Sequence, residues 1–205
     1  MTNLPISPNP PASVVKSGVV ILGRFQPFHK GHIHLIKEAE LWRLENSPNS
    51  QLVIAIGSSN RPESMVNPWT YQEREEMINS WLLNQEGFED VTIVAIPDIE
   101  DPPNWVSHAE NYHGSGGFFF TSDQESAELY RESGWRVITS KLEKRENLEG
   151  WRVRATAHML STIGDEKAIH TVLSPSVSDY VIDYLIRING LRRLAFLGQG
   201  GEPVG

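Results

Sequence analysis

The sequence predicts a doubly wound α/β fold: a parallel sheet with helices on both faces, followed by helices toward the carboxyl terminus. Three observations carry this. Short apolar runs, each too short for a free-standing helix and bounded by turn residues, recur along the chain. Between them lie segments whose apolar residues repeat at helical spacing. The alternation of strand, helix and strand persists from the first run onward, which favours crossover connections over a meander.

The first run is Val19-Val20-Ile21-Leu22, stopped by Gly23. A short loop of Arg24, Phe25, Gln26, Pro27 and Phe28 follows. His29-Lys30-Gly31-His32 then leads into a segment with Ile33, Leu35, Ile36 and Ala39 at helical spacing. A turn at 47–50 separates this helix from a second strand at 51–57, and the crossover should be right-handed. The polar stretch 58–68 leaves the carboxyl end of that strand, where open α/β sheets receive ligands. Thr70 caps the next helix, with Glu73 completing a capping box, and Arg74, Met77, Ile78 and Trp81 ride on it. A third strand spans 91–96 and ends in Pro97-Asp98, before the loop DIEDPPNWV. A fourth spans 117–123, a helix spans 124–133 with Gly134 as its cap, and a fifth strand spans 135–138. In the last third Thr156 is read as the cap of a helix. Ser174 or Ser176, with Pro175, starts another that Asn189-Gly190 ends. Residues 1–17 read as a flexible arm, 18–196 as a single domain, and the glycine-rich 197–205 as a flexible tail.

A chain of 205 residues suffices for one well-buried α/β domain. Its formal net charge of -8 argues against general binding to nucleic acid or anionic membranes. The absence of cysteine excludes disulfides, thiolate metal ligands and a cysteine nucleophile. No apolar run approaches a membrane span, and no signal-peptide core is present, so the cytoplasm is expected.

The chemistry gathers at the first strand–turn–helix. A helix N-terminus offers backbone N–H groups and a positive dipole end, which suit a phosphate. His29 and His32 lie about one helical turn apart, so both imidazoles can face one phosphoryl group. Gly31 permits close backbone approach. This is an anion site with two proton donors of adjustable pKa.

The stretch GRFQPFHKGH, residues 23–32, resembles the signature of the HxGH nucleotidyltransferase superfamily, in particular its archaeal-type nicotinamide mononucleotide (NMN) adenylyltransferases. The resemblance covers roughly 18–196 and implies a Rossmann-like nucleotidyltransferase fold that joins ATP and NMN to give NAD and pyrophosphate. It implies His29, His32 and Arg24 as catalytic groups. ATP would be met by Gly23, Arg24, Phe25, Gln26, His29, Gly31, His32 and Thr121. Gly57-Ser58, Asn67-Pro68, Thr70 and Glu73-Arg74 resemble a family stretch that organises the site. Phe25, Ser58, Asn67 and Arg74 are accordingly implied at NMN. The loop from Asp98 to Trp105 resembles the nicotinamide-contacting loop. Trp105 stacks there, and Asn104 stands in for a family asparagine whose place Pro102 occupies.

The superfamily's second motif, S-x-T-x-x-R, opens a helix against the ATP phosphates. Two registers fit it in part: over 149–154 Arg154 matches but both hydroxyls are gone, and in the preferred one Thr156 is its hydroxyl and Met159 stands where the arginine belongs. Arg154, with Arg152 second and Arg145 nearby, then supplies the cation. The resemblance further implies Mg²⁺ carried with ATP, no protein metal site, and a homo-oligomer, commonly a hexamer. The alternatives are another acceptor (nicotinate mononucleotide or phosphopantetheine) or a catalytically degenerate nucleotide-binding protein.

Overall fold

The computed structural model describes residues 4–140 and 148–198. Arg145, the first three residues and the tail from 199 onward lie outside the described residues. Five strands, β1 Gly18–Gly23, β2 Gln51–Ile56, β3 Val91–Ala95, β4 Phe118–Thr121 and β5 Arg136–Thr139, form one sheet. Its order is β3-β2-β1-β4-β5 and every pairing is parallel. Val19, Val20, Ile21, Leu52, Val53 and Ile54 are wholly buried, as central strands covered on both faces require. The helices are α1 Lys30–Asn46, α2 Tyr71–Leu82, α3 Trp105–His113, α4 Gln124–Glu132, α5 Gly150–Met159, α6 Glu166–Leu173, α7 Asp179–Arg187 and α8 Gly190–Leu197. None is long and apolar enough to cross a membrane.

The described residues divide into two compact units: 4–24, 32–61 and 86–140 in one, and 25–31, 62–85 and 148–198 in the other. The first holds the sheet. One face of it packs Val20, Val53, Ala55, Val94 and Phe119 with Val106, Ala109 and Tyr112 of α3 and Tyr130 of α4. On the other face Trp42 of α1 meets Phe118 edge-on, with ring centroids 4.8 Å apart. Residues 4–17, expected as a flexible arm, make specific contacts within this unit. The Tyr112 hydroxyl donates to the Pro8 carbonyl (3.0 Å) and the Asn60 amide to that of Pro5 (3.0 Å).

The second unit is helical. Thr70 and Glu73 form the expected capping box at the start of α2. Arg193 of α8 makes a two-pronged ion pair with Glu73, both contacts at 2.6 Å. That fork geometry fixes α8 better than a single contact would.

The structure corrects two expectations for the last third. Thr156 caps nothing. α5 already begins at Gly150, and the Thr156 hydroxyl donates to the Arg152 carbonyl one turn back (3.1 Å). Neither Ser174 nor Ser176 caps α7, whose N-cap is Ser178. The helices α3 and α6 are marked by no expectation from the sequence, and α8 runs to Leu197.

Candidate active site

The strand order reverses at β1, which β2 and β4 flank, and the carboxyl ends of strands at such a point form the usual ligand crevice of an open α/β sheet. A cavity of about 630 Å³ lies there, within the sheet unit. Gly23 and Arg24 reach it from β1, Gly57 and Ser58 from β2, and Asp98 and Trp105 from the segment after β3. The Gly57 N–H donates to the Gly23 carbonyl (2.9 Å), so the loops after β1 and β2 leave the sheet side by side. Two non-glycine residues on the wall adopt left-handed backbone, Ser58 (φ 52°) and Glu100 (φ 53°). Such strain concentrates at functional sites.

Trp105, half-buried on the wall, presents an edge-to-face contact to Tyr130 with centroids 6.3 Å apart. Tyr130 is itself immobilised, stacked on Phe119 at 3.6 Å and hydrogen-bonded to His113 Nε2 at 2.8 Å. His113 Nδ1 lies 2.7 Å from the Gly114 carbonyl, which only accepts, so Nδ1 carries the proton. The Tyr130 hydroxyl therefore donates to Nε2. Burial lowers the His113 pKa, which keeps this neutral tautomer. The indole is thus backed by a rigid aromatic wall.

Arg61 also faces the cavity, and no motif in the sequence marks it. Its Nε donates to Asp98 Oδ2 (2.6 Å) and its Nη1 to Glu100 Oε1 (3.1 Å). The partners lie 37 and 39 residues away in the chain, so no local pattern marks the residue.

His29 belongs to the helical unit, is 4% exposed, and sits at the mouth of α1. The Gly31 N–H donates to its Nδ1 (3.1 Å), and the Lys30 N–H donates to the Ser176 carbonyl (2.8 Å). Two of the N–H groups expected to greet a phosphate are therefore already engaged. Accepting at Nδ1 requires a lone pair there, so neutral His29 carries its proton on Nε2. Burial, aided by the nearby Arg154 cation, pushes its pKa down to about 4. Gly31 serves this ring directly, because a Cβ at that position would lie 3.0 Å from His29 Cε1 and 3.2 Å from Leu148 Cβ.

A Cβ on Gly150, the first residue of α5, would find Arg154 Nη1 at 3.4 Å, the Gln26 carbonyl at 3.7 Å and His29 Nε2 at 3.8 Å. The position therefore lies in ordinary contact distance of a guanidinium and an imidazole N–H. Arg154 also donates to the Gln26 carbonyl (2.6 Å). In the register over 149–154 the motif's arginine position falls on Arg154, within α5, while Met159 is an 80% exposed residue at the helix's far end. Glu149 and Trp151 occupy the places of the motif's hydroxyl residues.

A model of the cytidylyltransferase-like family matches residues 20–156. The nicotinamide-nucleotide adenylyltransferase of Ignicoccus hospitalis is 34% identical over 147 residues, covering 71% of this chain and 80% of that protein. The chain belongs to the cytidylyltransferase-like family, in its nicotinamide-nucleotide adenylyltransferase branch. The adenylyltransferase of that name from Thermoplasma acidophilum is 29% identical over 90% of this chain and 93% of its own length. Among solved structures, a bifunctional NMN adenylyltransferase/ADP ribose pyrophosphatase from Francisella tularensis, complexed with AMP and a manganese ion, shares the fold. That match has a TM-score of 0.56 at 23% identity and covers 92% of this chain but only 58% of that one.

Against this adenylyltransferase frame the other expected site residues are placed as follows. Arg24 is exposed on the cavity wall, and His32 is half-buried in the first turn of α1. Phe25 is buried in left-handed backbone (φ 51°), edge-on to Phe28. Gln26 exchanges both amide bonds with the Trp69 backbone (2.8 and 3.2 Å), which is a scaffolding role. Thr121 is buried at the end of β4 and accepts from the Asp123 N–H (3.0 Å). Arg74 is 1% exposed within α2, with its Nε donating to the Thr70 carbonyl (3.2 Å), so it is no surface ion pair. Asn67 Oδ1 is buried without a hydrogen-bond partner among the described residues. Asn104 is exposed and donates to Asp101 (2.8 Å), while Pro102 faces the cavity.

Proposed function

We propose that this protein is a nicotinamide-nucleotide adenylyltransferase of NAD biosynthesis: it transfers the adenylyl group of ATP to NMN, giving NAD and pyrophosphate. A phosphate oxygen of NMN attacks the α-phosphorus of ATP. The bond from that phosphorus to the oxygen bridging it to the β-phosphorus breaks, and pyrophosphate leaves with the electron pair. Such a transfer asks the protein for positioning and charge neutralisation, not for a covalent intermediate.

The observation that carries the mechanism is the state of His29. With Nδ1 occupied by the Gly31 N–H and the pKa held near 4, its Nε2–H is a fixed, neutral donor at physiological pH. In this reading it hydrogen-bonds a phosphoryl oxygen as negative charge shifts toward the leaving group. Arg154 supplies the full positive charge beside it and meets the ATP β- or γ-phosphate. His32 is the second imidazole donor, and Arg24 adds charge from the cavity wall. Trp105 takes the pyridinium ring of NMN, whose positive charge suits an electron-rich indole face. Ser58 and Asp98 contact the same substrate.

The metal expected with ATP is Mg²⁺. In this reading the ion comes with ATP and is held largely by the triphosphate's own oxygens. The protein is further expected in the cytoplasm as a homo-oligomer, with no nucleic-acid partner. Pyrophosphate release, measured for each nucleoside triphosphate paired with NMN, nicotinate mononucleotide or phosphopantetheine, tests the reading. ATP with NMN should dominate. Release with another acceptor alone, or with none, would replace it by one of the two alternatives.

A further inference from the structure

We propose that Glu100 makes the sheet cavity selective for an acceptor bearing a neutral amide over one bearing a carboxylate, by holding Arg61 in a doubly neutralised state. The proposal rests on the adenylyl-transfer reading, with the acceptor's base against Trp105.

Arginine matches a carboxylate ligand well, since its planar fork donates two parallel bonds. An arginine on this wall would therefore be expected to welcome nicotinate. Here two of its donors already serve carboxylates, Nε to Asp98 Oδ2 at 2.6 Å and Nη1 to Glu100 Oε1 at 3.1 Å, so its charge is offset twice before any ligand arrives. The arrangement is built and held. Asn60 clamps the Asp98 backbone from both sides, donating to its carbonyl (2.8 Å) and accepting its N–H (2.8 Å). Glu100 reaches Arg61 from a left-handed backbone conformation (φ 53°) that a non-glycine residue rarely adopts without reason. Among the described wall residues two cations, Arg24 and Arg61, face five carboxylates, so an anionic substituent on the acceptor's ring meets net repulsion. A carboxamide carries no charge and escapes it.

Removing one carboxylate from Arg61 should thus admit the acid. In Glu100→Gln the efficiency with nicotinate mononucleotide relative to NMN should rise about tenfold, with NMN efficiency itself held to within about twofold. In the double variant Arg61→Gln/Glu100→Gln the gain should vanish, because the released guanidinium is what receives the acid. The measurements are kcat/KM for both acceptors at saturating ATP and, in parallel, their calorimetric affinities. An unchanged ratio in Glu100→Gln, with NMN turnover retained, overturns the proposal, as does an equal gain in the double variant. If wild type releases no pyrophosphate with any acceptor, adenylyl transfer is what fails. The affinity ratio in Glu100→Gln then still decides whether the Arg61 clamp selects the ligand.

Discussion

The surroundings of His29 and the cavity beside Trp105 handle charge in opposite ways. Around His29 the charged form is disfavoured: the ring is buried, its pKa is pushed down to about 4, and a neutral N–H stands next to an arginine. Around Trp105 charge is kept and cancelled: Arg61 stays ionised between two carboxylates, its pKa raised chiefly by the hydrogen bond to Asp98. Desolvation suits a donor whose bond must strengthen as charge develops. Paired charge suits a surface that sorts substrates by their own charge. The proposed roles follow this contrast: transfer at the first region and choice of acceptor at the second.

The largest effect should come from the first region. His29→Asn keeps an acceptor near the Nδ1 position for the Gly31 N–H but removes the Nε2 donor. Turnover should fall about a hundredfold or more with the melting temperature little changed. His29→Gln, whose amide N–H approximates Nε2–H, should retain more activity than His29→Asn. Equal losses in the two would mean the ring matters for shape alone. His32→Ala should also lose about a hundredfold, and near-normal turnover there would leave His29 as the sole imidazole donor.

Next come two binding effects that should separate the regions. Arg154→Ala should raise the KM for ATP about tenfold while sparing NMN. Trp105→Ala should raise the KM for NMN about tenfold while sparing ATP, as loss of an aromatic cation contact does. If either variant affects both substrates alike, the division of labour drawn here is wrong. Gly150→Ala is a smaller probe. Its Cβ fits at ordinary contact distances of 3.4 to 3.8 Å, so the fold should survive, while ATP binding weakens a few-fold.

A stability effect accompanies the first region. The folded His29 pKa lies below its unfolded value of 6.5, so the unfolded chain binds the proton more readily between the two values. The contribution is fully present above pH 6.5, declines as pH falls to about 4, and amounts to about 3 kcal/mol over that window. Denaturant titrations of His29→Asn should show a flatter pH dependence than wild type across this range.

How legible these regions are in the sequence differs for physical reasons. Residues 18–32 announce themselves because an apolar run, a glycine and two histidines are contiguous, and a strand–turn–helix needs only local spacing. The start of α5 sends no such signal. Its N-cap, Glu149, makes no side-chain cap bond, whereas Thr156 looks like a cap but bonds within the helix. The motif fits the sequence in two registers, and no local pattern shows that α5 already begins at Gly150. Nothing local shows that Trp69, 43 residues on, takes both amide atoms of Gln26. Arg61 is unmarked for the same reason. A loop arginine reads as solvated until the fold brings Asp98 and Glu100 to it.

The claim that a neutral Nε2–H of His29 faces the transferring phosphoryl group can be tested by nitrogen-15 spectroscopy of histidine-labelled protein. The account predicts a His29 signal with protonated Nε2 and bare Nδ1 throughout the neutral range, titrating only near pH 4, with Nε2 shifting when ATP is added. A His29 that titrates near 6.5, carries its proton on Nδ1, or ignores ATP would contradict it.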